Sequence, residues 1–252
     1  MEWSIPTVNL TGPRRIGGRA SRHGFAFQDA YTCLQLTRLL SGVTDIIGVR
    51  PEGAQDVDLL FSDGREEYIQ IKDSPDARYT LAELRPILQS FAIDLLEAGR
   101  SSTITFTLIA RSNNIERAVI RLRNRDASSD DVAKIAELLV QSSLDSSAPK
   151  SLIMISDEER YNLAAQLLQQ TEFHFGMGDE FEGRLSFESH ACSEMAEHGV
   201  ASPKLHDAFN VLKAALDTKR EFTRTDVEEL LKRFIGGAAI DLFEGQVGST
   251  WG

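Results

Sequence analysis

The chain has 252 residues, a formal net charge of −11 and 42% hydrophobic residues, the profile of one large soluble domain or of one domain with a smaller appendage. It carries no run of about 18 apolar residues that would span a bilayer and no basic-then-apolar leader at its start, so a membrane protein and a secreted one are not expected. Two cysteines without a partner at metal or redox spacing fit reduced thiols in a cytoplasmic protein.

The acidic total argues against coating nucleic acid through bulk charge, yet the charge is uneven. Pro13 to His23 holds four arginines (Arg14, Arg15, Arg19, Arg22) and no acid. Arg111 to Arg125 holds five arginines against Glu116 alone. The first island is a glycine- and arginine-rich loop whose N–H groups and guanidinium forks suit phosphate, although no Gly-Lys-Ser/Thr follows to make a Walker A loop.

From Gly24 to Leu40 the apolar residues Phe25, Phe27, Tyr31, Leu34, Leu36, Leu39 and Leu40 predict a deeply buried helix with Gln28 on its first turn. A strand over Asp45–Arg50 follows. Asp56–Phe61 and Glu67–Lys72 then read as two strands joined by the Asp63-Gly64 turn signal. Thr80 and Glu83 form a capping-box pattern opening a helix to about Gly99, with Pro86 inside it. Thr103–Ala110 is the clearest strand. A helix over Asn114–Asn124 would align Arg117, Arg121 and Arg125 in one stripe if it persisted that far. Helices are expected over 128–144 and 156–170, strands at Leu152–Ile155 and Glu172–Phe175, and helices over 187–198, 202–220 and 223–235. The division expected is a core over 1–178 and a helical C-terminal part over 179–252 that can be integral to the same domain.

The hairpin carries the chemistry. Alternate residues of a strand share a face, so Gln70 and Lys72 point the same way. Asp58 offers a carboxylate to a hard cation, Gln70 a carboxamide oxygen and Ile71 a backbone carbonyl, while Lys72 stands beside them as a point charge. Asp56 shares the face of Asp58 by parity, and Glu52 precedes the strand. Either acid would make up for the missing charge of Gln70. Asp58 is favoured over Asp56 as the main metal ligand. The histidines and Cys192 fit no zinc spacing, and no Gly-x-Ser-x-Gly elbow occurs.

The helix start Gly24-Phe25-x-Phe27-Gln28, the strand Asp56-Val57-Asp58-Leu59 and the run Ile69-Gln70-Ile71-Lys72-Asp73 resemble the PD-(D/E)XK nuclease superfamily. More specifically they are similar to the double-stranded-DNA endonuclease domain associated with CD-NTase anti-phage systems and with some STAND-NTPase defence proteins. The resemblance covers about residues 17–75. It implies a restriction-endonuclease-like α/β fold, a mixed sheet flanked by helices. It also implies Mg²⁺ (or Mn²⁺) dependence and double-stranded DNA as substrate. A free, active nuclease would threaten the host genome, so gating by homo-oligomerisation, a sensor domain or an ATPase partner is expected. By the same resemblance the catalytic set falls on Asp58, Gln70 and Lys72, with Gln28 and Glu52 as accessories. The residues themselves add Asp56 as a further accessory and Arg14, Arg15, Arg19 and Arg22 toward DNA, with Arg117 and Arg121 as DNA contacts against the default reading of a solvated face. This sequence has Gln where many members of the superfamily have Glu. The rival expectations are an inactive nuclease-fold subunit for assembly or DNA binding, and an effector whose C-terminal helices dock on an ATPase.

Overall fold

The computed structural model describes residues 26–42, 45–74, 76–101, 103–142, 149–176 and 180–235. Six strands form one mixed sheet in the order β5-β4-β3-β2-β1-β6. Strands β1 (Ile46–Pro51), β2 (Val57–Phe61) and β3 (Glu66–Lys72) make an antiparallel meander; β4 (Ile104–Ala110) and β5 (Thr171–Phe175) continue it in parallel. The two-residue β6 (Phe222–Thr223) closes the far edge against β1. The α/β expectation of a mixed sheet flanked by helices holds, as does the element order through β4.

Each face of the sheet is covered because its alternate residues are apolar. On one face Val49, Val57, Leu59, Ile69, Ile71 and Ile109 pack under helices α1 (Ala26–Ser41), α7 (Glu180–Glu197), α8 (Leu205–Ala215) and α9 (Arg224–Leu231). On the other, Tyr68, Phe106, Leu108 and Phe173 meet α2 (Leu81–Glu97), α4 (Ser129–Leu138) and α6 (Asp157–Gln169). Phe91 of α2 stacks on Phe106 with ring centroids 4.7 Å apart. Helices α7, α8 and α9 therefore share the core of α1, and β6 joins the sheet, so the described residues 180–235 build one layer of the same body rather than a separate core.

Local chemistry explains the helix starts. Thr80 accepts the Glu83 N–H at 3.2 Å. Ser128 with Asp131, Ser156 with Glu159, and Thr223 with Asp226 form reciprocal capping boxes. Two expectations fail. The strand foreseen at Leu152–Ile155 is instead a helical turn, α5 (Lys150–Ile153), with Pro149 at its N-cap; only Leu152 is buried, and Met154 is 85% exposed. The arginine stripe also breaks: α3 (Arg117–Arg123) stops at Asn124, and Arg125 turns to a left-handed φ of 57°.

Candidate active site

The carboxyl ends of β3 and β4 lie side by side, with Lys72 paired to Ala110 and the Arg111 N–H donating to the Lys72 carbonyl at 3.0 Å. Beyond them the two loops are stitched together: the Tyr79 N–H donates to the Asn114 carbonyl at 2.8 Å and the Glu116 N–H returns to the Tyr79 carbonyl at 3.0 Å. This edge of an α/β sheet is where a site is expected.

β2 starts only at Val57, opposite Ile69, so Ile71 lies beyond the end of its neighbour strand. Asp56 fills that gap with its side chain. Its Oδ2 accepts the Ile71 N–H at 2.7 Å and also the Gln70 side-chain amide. Backbone groups alternate in direction along a strand, and Lys72 sends its carbonyl toward β4. The Ile71 carbonyl therefore projects toward β2, past the point where β2 offers a partner.

Helix α1 approaches from the opposite face of the loop. Buried Gln28 donates through Nε2 to Glu52 Oε1 at 2.9 Å and, more weakly, to the Asp56 carbonyl at 3.5 Å. The Glu52 N–H donates to that same carbonyl at 2.8 Å, and Glu52 sits at a φ of 54°. Gln28, Glu52, Asp56, Gln70, Ile71 and Lys72 thus converge on one edge. Burial raises the Asp56 carboxyl above the ordinary aspartate range, even though the Ile71 N–H, Lys72 and Gln70 all act to lower it.

Asp58 is placed differently from the sequence-based expectation. Shared parity with Asp56 does not make the two equivalent, because the loop after Glu52 folds back over Asp58. Its Oδ2 accepts the Ala54 N–H at 2.7 Å and its Oδ1 the Gln55 N–H at 3.2 Å. The side chain is 1% exposed. Burial pushes its carboxyl up to about 7, against those two hydrogen bonds and the nearby Arg50. With both oxygens engaged by backbone, Asp58 is not the carboxylate that meets Gln70; Asp56 is.

The expected DNA-contacting arginines separate likewise. Arg14, Arg15, Arg19 and Arg22 lie outside the described residues. Arg117 is exposed. Arg121 is already paired: its Nε donates to Asp131 Oδ2 at 2.8 Å and Nη2 to Oδ1, a fork on the acid that completes the α4 capping box. Arg125 pairs with Glu172 at 2.6 Å. Sequence reasoning missed Arg111, which is fully buried at the end of β4, ion-paired to Asp73 and 5.4 Å from the Phe27 ring centroid. Its signal in the sequence was a charged residue directly after the most apolar strand.

Mg²⁺ takes oxygen ligands, keeps several waters and is commonly held by one or two carboxylates completed by substrate phosphate. Among the described residues no group of three or more His, Cys, Asp or Glu stands close enough to hold a metal. The edge instead offers one partly buried carboxylate at Asp56, the Gln70 carboxamide and the Ile71 carbonyl. One carboxylate and two neutral oxygens make a hard-donor set with room for water and phosphate, which fits a sparsely held Mg²⁺.

No family model matches the sequence. Over 68 residues the chain is 37% identical to the anti-bacteriophage protein A of Escherichia coli (strain K12), a match covering 27% of this chain and 12% of that protein. Among solved structures it is similar to the Cap4 SAVED/CARF-domain containing receptor of Moraxella osloensis, with TM-score 0.51, 15% identity, and coverage of 84% of this chain and 47% of that one. It is also similar to the Acinetobacter baumannii Cap4 receptor solved with the cyclic trinucleotide 3′3′3′-cAAA, with TM-score 0.54, 15% identity, and coverage of 88% and 46%. At such identity these structures speak to the fold. The chain spans less than half of each solved receptor and about an eighth of the curated relative.

Proposed function

We propose that this chain is the Mg²⁺-dependent DNA endonuclease effector of an anti-phage defence system, of restriction-endonuclease-like fold. The observation that carries the reading is the meeting of the Asp56 carboxylate with Gln70 and the Ile71 N–H at the carboxyl edge of β3, two residues before Lys72. The similarity to a bacteriophage-directed protein supplies the context, and the share of the Cap4 receptors left uncovered leaves room for a separate sensor.

Asp56, Gln70 and the Ile71 carbonyl would hold the metal, with Glu52 held nearby by Gln28. Bound Mg²⁺ supplies positive charge to the scissile phosphate and lowers the pKa of water. Lys72 orients the attacking water and offsets charge growing on the phosphate oxygens. The water oxygen bonds to phosphorus as the bond to the leaving ester oxygen breaks. Double-stranded DNA is the substrate, and exposed Arg117, with the arginine-rich loop, contacts its backbone. Activity is gated by homo-oligomerisation or by a sensor module or ATPase partner, since an ungated nuclease would cut the host chromosome.

The test is plasmid cleavage with and without Mg²⁺, wild type beside Asp56→Ala. Metal-dependent nicking that Asp56→Ala abolishes supports the reading; cleavage at equal rates in the two proteins sinks it. The neutral Gln70, together with the absence of a three-acid cluster among the described residues, favours one second reading. In it the chain is an inactive nuclease-fold subunit for assembly or DNA binding, and the wild type binds DNA without nicking it in Mg²⁺ or Mn²⁺.

A further inference from the structure

We propose that Asp58 is a positioning residue, a clasp that shapes the loop bearing Glu52 and Asp56, and that Gly53 is the residue this clasp demands. The inference rests on the nuclease reading and assigns Asp58 no contact with metal or DNA.

The loop is fixed from three sides. From below, Asp58 accepts the consecutive N–H groups of Ala54 at 2.7 Å and Gln55 at 3.2 Å. From α2, Ser90 and Asp94 accept the Gln55 amide at 2.8 Å and 2.5 Å. From α1, Gln28 donates to Glu52 and to the Asp56 carbonyl. Within the loop, the Glu52 N–H closes on the Asp56 carbonyl at 2.8 Å. The two acids at its ends are thus held at fixed separation.

Gly53 shows how tightly the clasp is drawn. A Cβ built there would lie 1.9 Å from Asp58 Oδ2 and 2.4 Å from its Cγ, deep inside van der Waals contact. The near atom is a carboxylate already tied to two backbone donors, so it cannot swing aside without releasing the loop. A methyl at Gly53 is therefore a probe of the clasp from the loop side, independent of any change to Asp58. Supporting groups behind metal ligands typically contribute about 10–100-fold in metal affinity.

The experiment measures Mn²⁺ binding by calorimetry on the full chain: wild type, Asp58→Asn, Gly53→Ala, and Leu163→Ala as a destabilised control in distant α6. The clasp predicts that Asp58→Asn and Gly53→Ala each weaken Mn²⁺ about tenfold or more while excess Mn²⁺ still saturates them. Leu163→Ala should bind like wild type even if its Tm falls as far. If Asp58→Asn does not fold, Gly53→Ala decides. Unchanged affinity in Gly53→Ala overturns the clasp. So does total loss of binding in Asp58→Asn beside normal binding in Gly53→Ala, which would make Asp58 a ligand. A wild type that takes up no Mn²⁺ overturns the nuclease reading itself and the clasp with it.

Discussion

Asp56→Asn separates a functional acid from a structural one. The change keeps shape and size and removes only the charge. In the folded protein Asn Oδ1 can still accept the Ile71 N–H, now as a neutral bond, which forfeits about 1 kcal/mol relative to a charge-assisted one. Gln70 Nε2 donates to that same oxygen and can go on doing so, so that contact survives. Against this loss stands the relief of burying an ionised carboxylate, the cause that holds Asp56 above its ordinary range. The two effects oppose each other, so stability should move by no more than about 1 kcal/mol, or Tm by a few degrees. Activity should behave otherwise. Removing a principal ligand or charge stabiliser at the reacting phosphate typically costs about 10²–10³-fold or more, roughly 3–4 kcal/mol in the transition state. Urea unfolding and Mg²⁺-dependent plasmid nicking, run on the same preparation, give both numbers. An Asp56→Asn protein that unfolds readily, or that cuts within threefold of wild type, refutes the reasoning.

Other outcomes follow from the same contacts. Arg121 holds the Asp131 carboxyl well below the usual carboxylate range, so the Asp131 contribution is present above an unfolded-state pKa of about 4 and is lost as pH falls through the depressed folded value. Asp131→Ala, which removes the N3 half of the α4 capping box, should cost about 1 kcal/mol through the lost hydrogen bonds to Ser128 alone and flatten that acid limb in a Tm–pH series. Arg117→Ala should weaken DNA binding with little sequence dependence and reduce the salt slope by about 1, without changing Tm; an unchanged slope removes Arg117 from the interface. Phe91→Ala, which empties a fully buried site stacked on Phe106, should cost about 3–5 kcal/mol by chemical denaturation.

Much of the fold was legible because its signals are local. The Asp63-Gly64 turn, the β-branched run of β4, the capping pair of Thr80 and Glu83, and the apolar circumference of α1 each specify an element within a few residues. The losses lie where distant chain decides. Leu152–Ile155 is apolar enough for a strand, but among the described residues no neighbour strand pairs with it, and Pro149 starts a helical turn instead. β6 is two residues long and exists only because β1 offers an edge. In the site, alternation placed Asp56 and Asp58 on one face and could go no further. What distinguishes them is the fold-back of residues 53–55 over Asp58, set by contacts to α2 from 35 and 39 residues away in sequence. Arg121 looked like one member of a surface stripe because its partner, Asp131, lies on the next helix.

The central claim concerns Lys72 and the edge it completes. The most direct measurement is plasmid cleavage in Mg²⁺, wild type beside Lys72→Ala, over a series of protein concentrations. The account predicts nicking by the wild type that rises more than proportionally with concentration, and at least a hundredfold loss in Lys72→Ala with unchanged folding. Equal cleavage by the two proteins would contradict it.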